Sequence, residues 1–229
     1  YVQEDIAPAF EEMLIGAMNE LELGDPWRLS TDLGPVITAK AQSDISAYVD
    51  AAAAQGRLVH RLPSQAGGNF VAPALIAVDG IGDLTHEVFG PILHLATFSA
   101  DGLNDVVKAV NATGYGLTFG LHTRIDDRVQ SISQAVHAGN VYANRNQIGA
   151  IVGSQPFGGE GLSGTGPKAG GPHYLGRFTS TAQPKFEAEN ASLANTKEVS
   201  ARIAKAGQNV SEIGSTILPG PTGELNRLT

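Results

Sequence analysis

The chain has 229 residues, 28 of them glycine and none of them cysteine, and a formal net charge of −8 at pH 7. That length can bury a real core as one large domain or two small ones. The missing cysteines exclude a disulfide scaffold, thiolate zinc sites and a cysteine nucleophile within these residues, and the acidic balance argues against a nucleic-acid-binding face, which needs clustered basic residues.

Ile6, Phe10, Met13, Leu14, Ala17 and Leu21 recur at helical spacing, which predicts an amphipathic helix from about Pro8 that is stopped by Gly24-Asp25-Pro26. Asp25 to Pro35 reads as a loop. A second helix is predicted from Lys40 to Gln55, followed by a short strand over Arg57 to Arg61. Phe70–Val78 and Pro91–Phe98 read as strands joined through the charged turn Thr85–Gly90. A helix over Leu103–Asn111, a strand over Leu117–His122, a helix over Asp126–Ala138 and a strand over Asn140–Asn144 complete the alternation. Strand and helix in turn imply an α/β fold, a parallel sheet with flanking helices and right-handed crossovers. The compact part is expected to span 1–180. The remainder, 181–229, is a polar tail, an oligomerisation or linker segment with a helix at Lys197–Lys205. No apolar run approaches the roughly 18 residues that cross a bilayer, and no basic-then-apolar signal opens the chain.

The glycines concentrate in "GSQPFGGEGLSGTGPKAGG", Gly153 to Gly171, which contains a literal G-x-G-x-x-G at Gly159, Gly161 and Gly164. A dinucleotide turn needs a strand immediately before it and a helix immediately after, because the pyrophosphate rests on the helix N-terminus. Here Ile151-Val152 is separated from Gly159 by Gly153 and Pro156, and Gly166, Pro167, Gly170, Gly171 and Pro172 exclude a following helix. A phosphate loop fails because Pro167 stands where lysine is required. A nucleophile elbow fails because Ser163 lacks glycine two residues later. Taken alone, the stretch reads as a surface loop.

Three segments in register say more. "HEVFGP", His86 to Pro91, resembles the E-x-F-G-P motif of the aldehyde dehydrogenase superfamily. "QPFGG", Gln155 to Gly159, resembles its P-F-G-G segment. "GDP" at Gly24–Pro26 with "TDLGP" at Thr31–Pro35 resembles the linker after a helix of the catalytic domain. Within that superfamily, "YANRNQIGAIVGSQPFGGEGLSGTGPKAGGPHYLGRF" and "LPGPTGELN" are similar to the L-glutamate γ-semialdehyde (Δ1-pyrroline-5-carboxylate) dehydrogenase module of bacterial proline utilization A.

The resemblance implies NAD-dependent oxidation of an aldehyde to an acid, with FAD in a separate proline-oxidising domain if the parent is bifunctional. In the family a cysteine thiolate attacks the aldehyde, hydride leaves to nicotinamide, and water hydrolyses the thioester. The cysteine, the general-base glutamate and the nucleotide-binding domain lie upstream of the position of Tyr1, so this chain carries no catalytic residue and is expected to be inactive alone. The implied partners are a small-molecule substrate, the upstream part of the same polypeptide and a second copy in a homo-oligomer. The implied location is the cytoplasm, with peripheral attachment of the parent to the inner membrane left open. Loss of its partner domain would expose buried surface, so self-association is expected. A non-catalytic oligomerisation module and an aldehyde dehydrogenase with another substrate are the alternatives.

By the same resemblance Glu87 accepts hydrogen bonds from the nicotinamide-ribose hydroxyls, a task suited to a carboxylate, and Phe89 lies beside that ribose. Gly149 and Ala150 match a loop that anchors the substrate α-carboxylate through backbone N–H groups, and Phe157 packs on the aliphatic part of the substrate. Read without the family, the same residues are a solvated acid, core aromatics and simple turn residues. Asn144 and Arg145 are expected to be structural, with Arg145 able to support anion binding. Ser163, Thr165 and Lys168 are expected to shape the loop. The six histidines show no metal-ligand spacing, and no metal is expected.

Overall fold

The computed structural model describes residues 1–149 and 153–178 and, for the backbone, 216–219 and 224–228. Ala150, the strand-like Ile151-Val152 and the helix expected at Lys197–Lys205 lie outside the described residues. The chain forms two compact units, Tyr1–Thr113 and Gly114–Thr229.

In the first unit, α1 (Ala7–Asn19) carries a proline in its opening turn, where the missing N–H has no helical partner to lose. α2 (Ala39–Ala54) starts at Thr38, whose hydroxyl accepts from Ala41 N at 3.1 Å. Between them, Asp25–Pro35 is an ordered double turn. Leu23 bridges Leu33, Asp32 accepts from Glu22 N at 2.9 Å, and Thr31 Oγ1 donates to Asp25 O at 2.8 Å. A short strand β1 (Val2–Gln3) runs parallel to β5 (Thr97–Phe98). The main sheet has the order β2 (Leu58–Arg61), β3 (Ala74–Ala77), β4 (Ile92–Leu95). β3 is parallel to β4 and antiparallel to β2, so the sheet is open and mixed rather than wholly parallel.

Alternation along β3 sorts its residues to two faces. Ala74 and Ile76 pack with Val49 and Ala52 of α2, whereas Leu75 packs with Met18 of α1 and Leu95. Two helices therefore cover opposite faces of the central strand. α3 (Leu103–Ala112) follows and buries Val107.

The second unit is built on a parallel pair, β7 (Thr118–Leu121) and β8 (Asn140–Ala143), joined through α4 (Asp126–Ala135). A small antiparallel pair joins β6 (Tyr115–Gly116) to β9 (Glu160–Gly161). On the other side of β8 runs β11 (Glu224–Leu228), antiparallel to it and to β10 (Thr216–Pro219).

The predicted elements that fall on described residues are present with shifted bounds, and the main shifts have a local cause. Pro73 has no N–H to give a ladder, and β3 begins only after it. The apolar run Pro91–Phe98 divides at Ala96 into two strands with different partners. α4 ends at Ala135 because Val136 is extended, with φ −80° and ψ 137°. The predicted apolar face of α1 is the larger correction. Leu14, Ile15 and Met18 meet the sheet, while Ile6, Phe10 and Met13 stay exposed, Met13 by 76%.

Candidate functional site

Glu87 and Phe89 lie on the loop between β3 and β4 of the first unit, and Gly149 and Phe157 lie in the second. The loop is backed by α2. A Cβ built on Gly90 would come 2.6 Å from Ile45 Cδ1, so a larger residue there would have to displace that buried side chain. The His86 ring meets Tyr48 edge-on at 5.9 Å between centroids, and Tyr48 Oη lies 2.8 Å from His94 Nε2. Burial, and secondarily the Arg57 charge, lowers the His94 pKa. The direction of the hydrogen bond between Tyr48 Oη and His94 Nε2 follows the tautomer of the imidazole. With its base held this way, the loop presents Glu87 and Phe89 outward, the ring 85% exposed. A carboxylate with free acceptor oxygens and an uncovered aromatic face therefore stand two residues apart.

In the second unit the site begins on β8. Asn144 ends the strand in the left-handed region, φ 57°, and its Oδ1 accepts from Thr123 N at 2.9 Å. Arg145 folds back with its guanidinium carbon 5.2 Å from the centre of the Tyr142 ring. Both residues thus have a structural task, as expected. Ile148 N donates to Asn146 Oδ1 at 3.1 Å, a turn that leads the chain to Gly149. There a Cβ would lie 2.6 Å from Tyr142 Oη and would overlap the ring of Phe157. Gly149 and Phe157 are in direct apposition. Ala150 lies outside the described residues.

Phe157 is held on both sides of its own peptide. It exchanges hydrogen bonds with Ala169, 3.0 Å from its N–H and 2.9 Å to its carbonyl. Asn140, completely buried, donates to Pro156 O at 3.0 Å and accepts from Gly158 N at 3.3 Å. Tyr142, also fully buried, accepts from Gln155 Nε2 at 2.6 Å. Asn140, Tyr142, Gln155 and Tyr48 were not singled out in the sequence. The one available signal was a polar Asn opening an otherwise apolar strand.

The glycine-rich stretch is filled by its own chain. A Cβ on Gly159 would lie 2.6 Å from Ser163 Cβ, and one on Gly164 would meet Gly159 O. Gly139 rests on the carbonyl of Gly158. Ser163 Oγ accepts from Gly116 N at 2.9 Å, Arg177 Nη2 donates to Thr165 O at 3.2 Å, and Lys168 Nζ donates to Gly139 O. The next helical element is only the 3₁₀ turn Leu175–Phe178. No helix N-terminus follows Gly164, so the G-x-G-x-x-G has none of the geometry of a dinucleotide turn. Among the described residues no group of three His, Asp or Glu could hold a metal, and no helix is long and apolar enough to cross a membrane.

Residues 1–183 match the family profile described as "Aldehyde dehydrogenase family", and the chain belongs to that family. It is 40% identical over 262 residues to the bifunctional protein PutA of Klebsiella aerogenes, covering 100% of this chain and 20% of that protein. It is 36% identical over 177 residues to 1-pyrroline-5-carboxylate dehydrogenase 1 of Halalkalibacterium halodurans, covering 76% and 34%. A crystal structure of proline utilization A from Bradyrhizobium japonicum superposes with a TM-score of 0.74 and 51% identity, over 77% of this chain and 18% of that one. The chain therefore spans about one fifth of the length of the PutA relative that it matches end to end.

Proposed function

We propose that this chain is part of an NAD-dependent L-glutamate γ-semialdehyde dehydrogenase, within a bifunctional polypeptide that oxidises proline with FAD in another domain. The carrying observation is the bare peptide of Gly149, packed between Tyr142 and Phe157 in a chain whose relatives are PutA and 1-pyrroline-5-carboxylate dehydrogenase. Backbone N–H groups left uncovered by a side chain suit an anion. In this reading the Gly149–Ala150 segment holds the substrate α-carboxylate and Phe157 lines its aliphatic part.

The first unit fits a nicotinamide dinucleotide. Glu87 is exposed with both carboxylate oxygens able to accept from ribose hydroxyls, and Phe89 offers an open ring face beside it. NAD, when bound, supplies the hydride acceptor. What these residues do is orient the ribose and limit its movement, while Ile45 and Tyr48 keep the loop from shifting. There is no cysteine among the 229 residues, so the attacking thiolate is supplied from outside this chain.

The catalytic-domain portion covers 1–180, and 181–229 serves as an oligomerisation or linker segment. Alone, the chain turns over no NAD. The working protein is a cytoplasmic homo-oligomer. The test is kinetic, on the full-length polypeptide that carries this chain: kcat/KM for glutamate γ-semialdehyde and for propanal at saturating NAD. The semialdehyde is expected to be preferred by at least about 100-fold, the loss that follows when a site built for a polar group meets an analogue without it. Equal values would refute the assignment.

A further inference from the structure

Tyr142 sits in the middle of β8, opposite Gly120 of β7 on one side and Glu224 of β11 on the other. It has no solvent exposure at all, and its ring is capped by Arg145 at 5.2 Å. A strand tyrosine so enclosed could be an ordinary core residue, but its hydroxyl also lies against the Gly149 loop. It lies 2.6 Å from the place where a Gly149 side chain would begin. Gln155 donates to it from Nε2 at 2.6 Å. Gln155 Oε1 is buried and has no hydrogen-bond partner, a cost that satisfied amides avoid. The amide is thus committed to Tyr142 alone.

We infer that Tyr142 is a positioning residue for the Gly149 peptide, setting through its hydroxyl, to which Gln155 donates, where the Gly149 N–H stands. This rests on the reading of Gly149 as part of the carboxylate anchor. Phe157 crowds the same Cβ position, and Asn140 fixes the Pro156 and Gly158 peptides that flank that ring. Gly149 therefore rests on a phenol from β8 and on a phenyl ring whose flanking peptides are held from β8. Carboxylate affinity then depends on a hydroxyl that touches no substrate atom.

The test uses the full-length polypeptide with Tyr142→Phe, which keeps the ring and deletes the oxygen, and Gln155→Met, which removes that donor from the oxygen. KM for glutamate γ-semialdehyde is expected to rise about ten-fold in Tyr142→Phe, the worth of one lost hydrogen bond. KM for NAD and kcat at saturation should stay within about two-fold. The dissociation constant of L-glutamate, measured by calorimetry without turnover, should rise by the same factor as KM. Propanal, which has no carboxylate, should show an unchanged KM. Gln155→Met should move the same quantities in the same direction by less. Unchanged semialdehyde and glutamate binding in both variants would overturn the inference, and so would an equal loss for propanal, the mark of a merely structural role. A wild-type protein that takes propanal as readily as the semialdehyde would overturn the anchor reading and this inference together.

Discussion

Asn140 uses both ends of its amide inside a fully buried environment, bonding the peptides before and after Phe157. Asn140→Ala would strip partners from one carbonyl and one N–H, at about 1–3 kcal/mol for each group left unpaired in the interior. The urea midpoint of the chain should fall accordingly, with little change in m-value. Glu87→Gln is the opposite case. The residue is exposed, so stability should hold, while KM for NAD in the full-length polypeptide rises about ten-fold through loss of a charged acceptor. His94 adds a pH dependence. Its folded pKa is depressed by burial and by Arg57, so the unfolded chain binds the extra proton more readily. The contribution of the neutral imidazole is complete above the unfolded value of about 6.5 and is lost as pH falls below it. Urea midpoints should drop between pH 7.5 and pH 5.5, and His94→Gln should flatten that part of the profile.

Among the elements, α1 shows where a periodic pattern runs out as a guide. Ile6, Phe10, Met13 and Leu14 fit one helical stripe on paper, yet the sheet takes Leu14, Ile15 and Met18 and leaves the first three in solvent. Periodicity identifies a helix, but which of two adjacent apolar faces is buried depends on what Leu75 and Leu95 offer, a tertiary fact. The end of α2 was legible because Gly56 punctuates the chain locally, whereas the strand expected over Phe70–Val78 ran through Pro73 and begins only at Ala74. Glu87, Phe89, Gly149 and Phe157 are proposed as site residues through motif resemblance, whereas Tyr48 and Tyr142 sit on other elements and carry no local mark. The exposed stripe makes a prediction of its own. The chain alone should self-associate in sedimentation velocity, and the triple change Ile6→Ser, Phe10→Ser, Met13→Ser should weaken that without lowering the melting temperature by more than a few degrees.

At the scale of the whole molecule, the proposed site residues fall in two units. An exposed acid and aromatic ring belong to one, and a glycine peptide against buried Tyr142 and half-buried Phe157 belongs to the other. With no cysteine in either, the isolated chain mixed with NAD and semialdehyde should give no absorbance increase from NADH. Its one tryptophan, Trp27, is 93% exposed and reports on the first unit alone. Acrylamide should quench it nearly as efficiently as free indole. A Trp27 emission protected from the quencher would contradict the open placement of the Asp25–Pro35 turn.

The close approach of Gly139 to Gly158, of Gly116 to the His137 carbonyl and of Gly159 to Ser163 has a consequence for how this chain evolves. A single methyl group at any of the three would collide with main chain, which has nowhere to swing. A saturation scan should therefore find these positions as intolerant as Glu87 or Gly149, and lineages should keep them as strictly. Invariance across descendants would then mark a binding locus and a merely crowded one with the same signature.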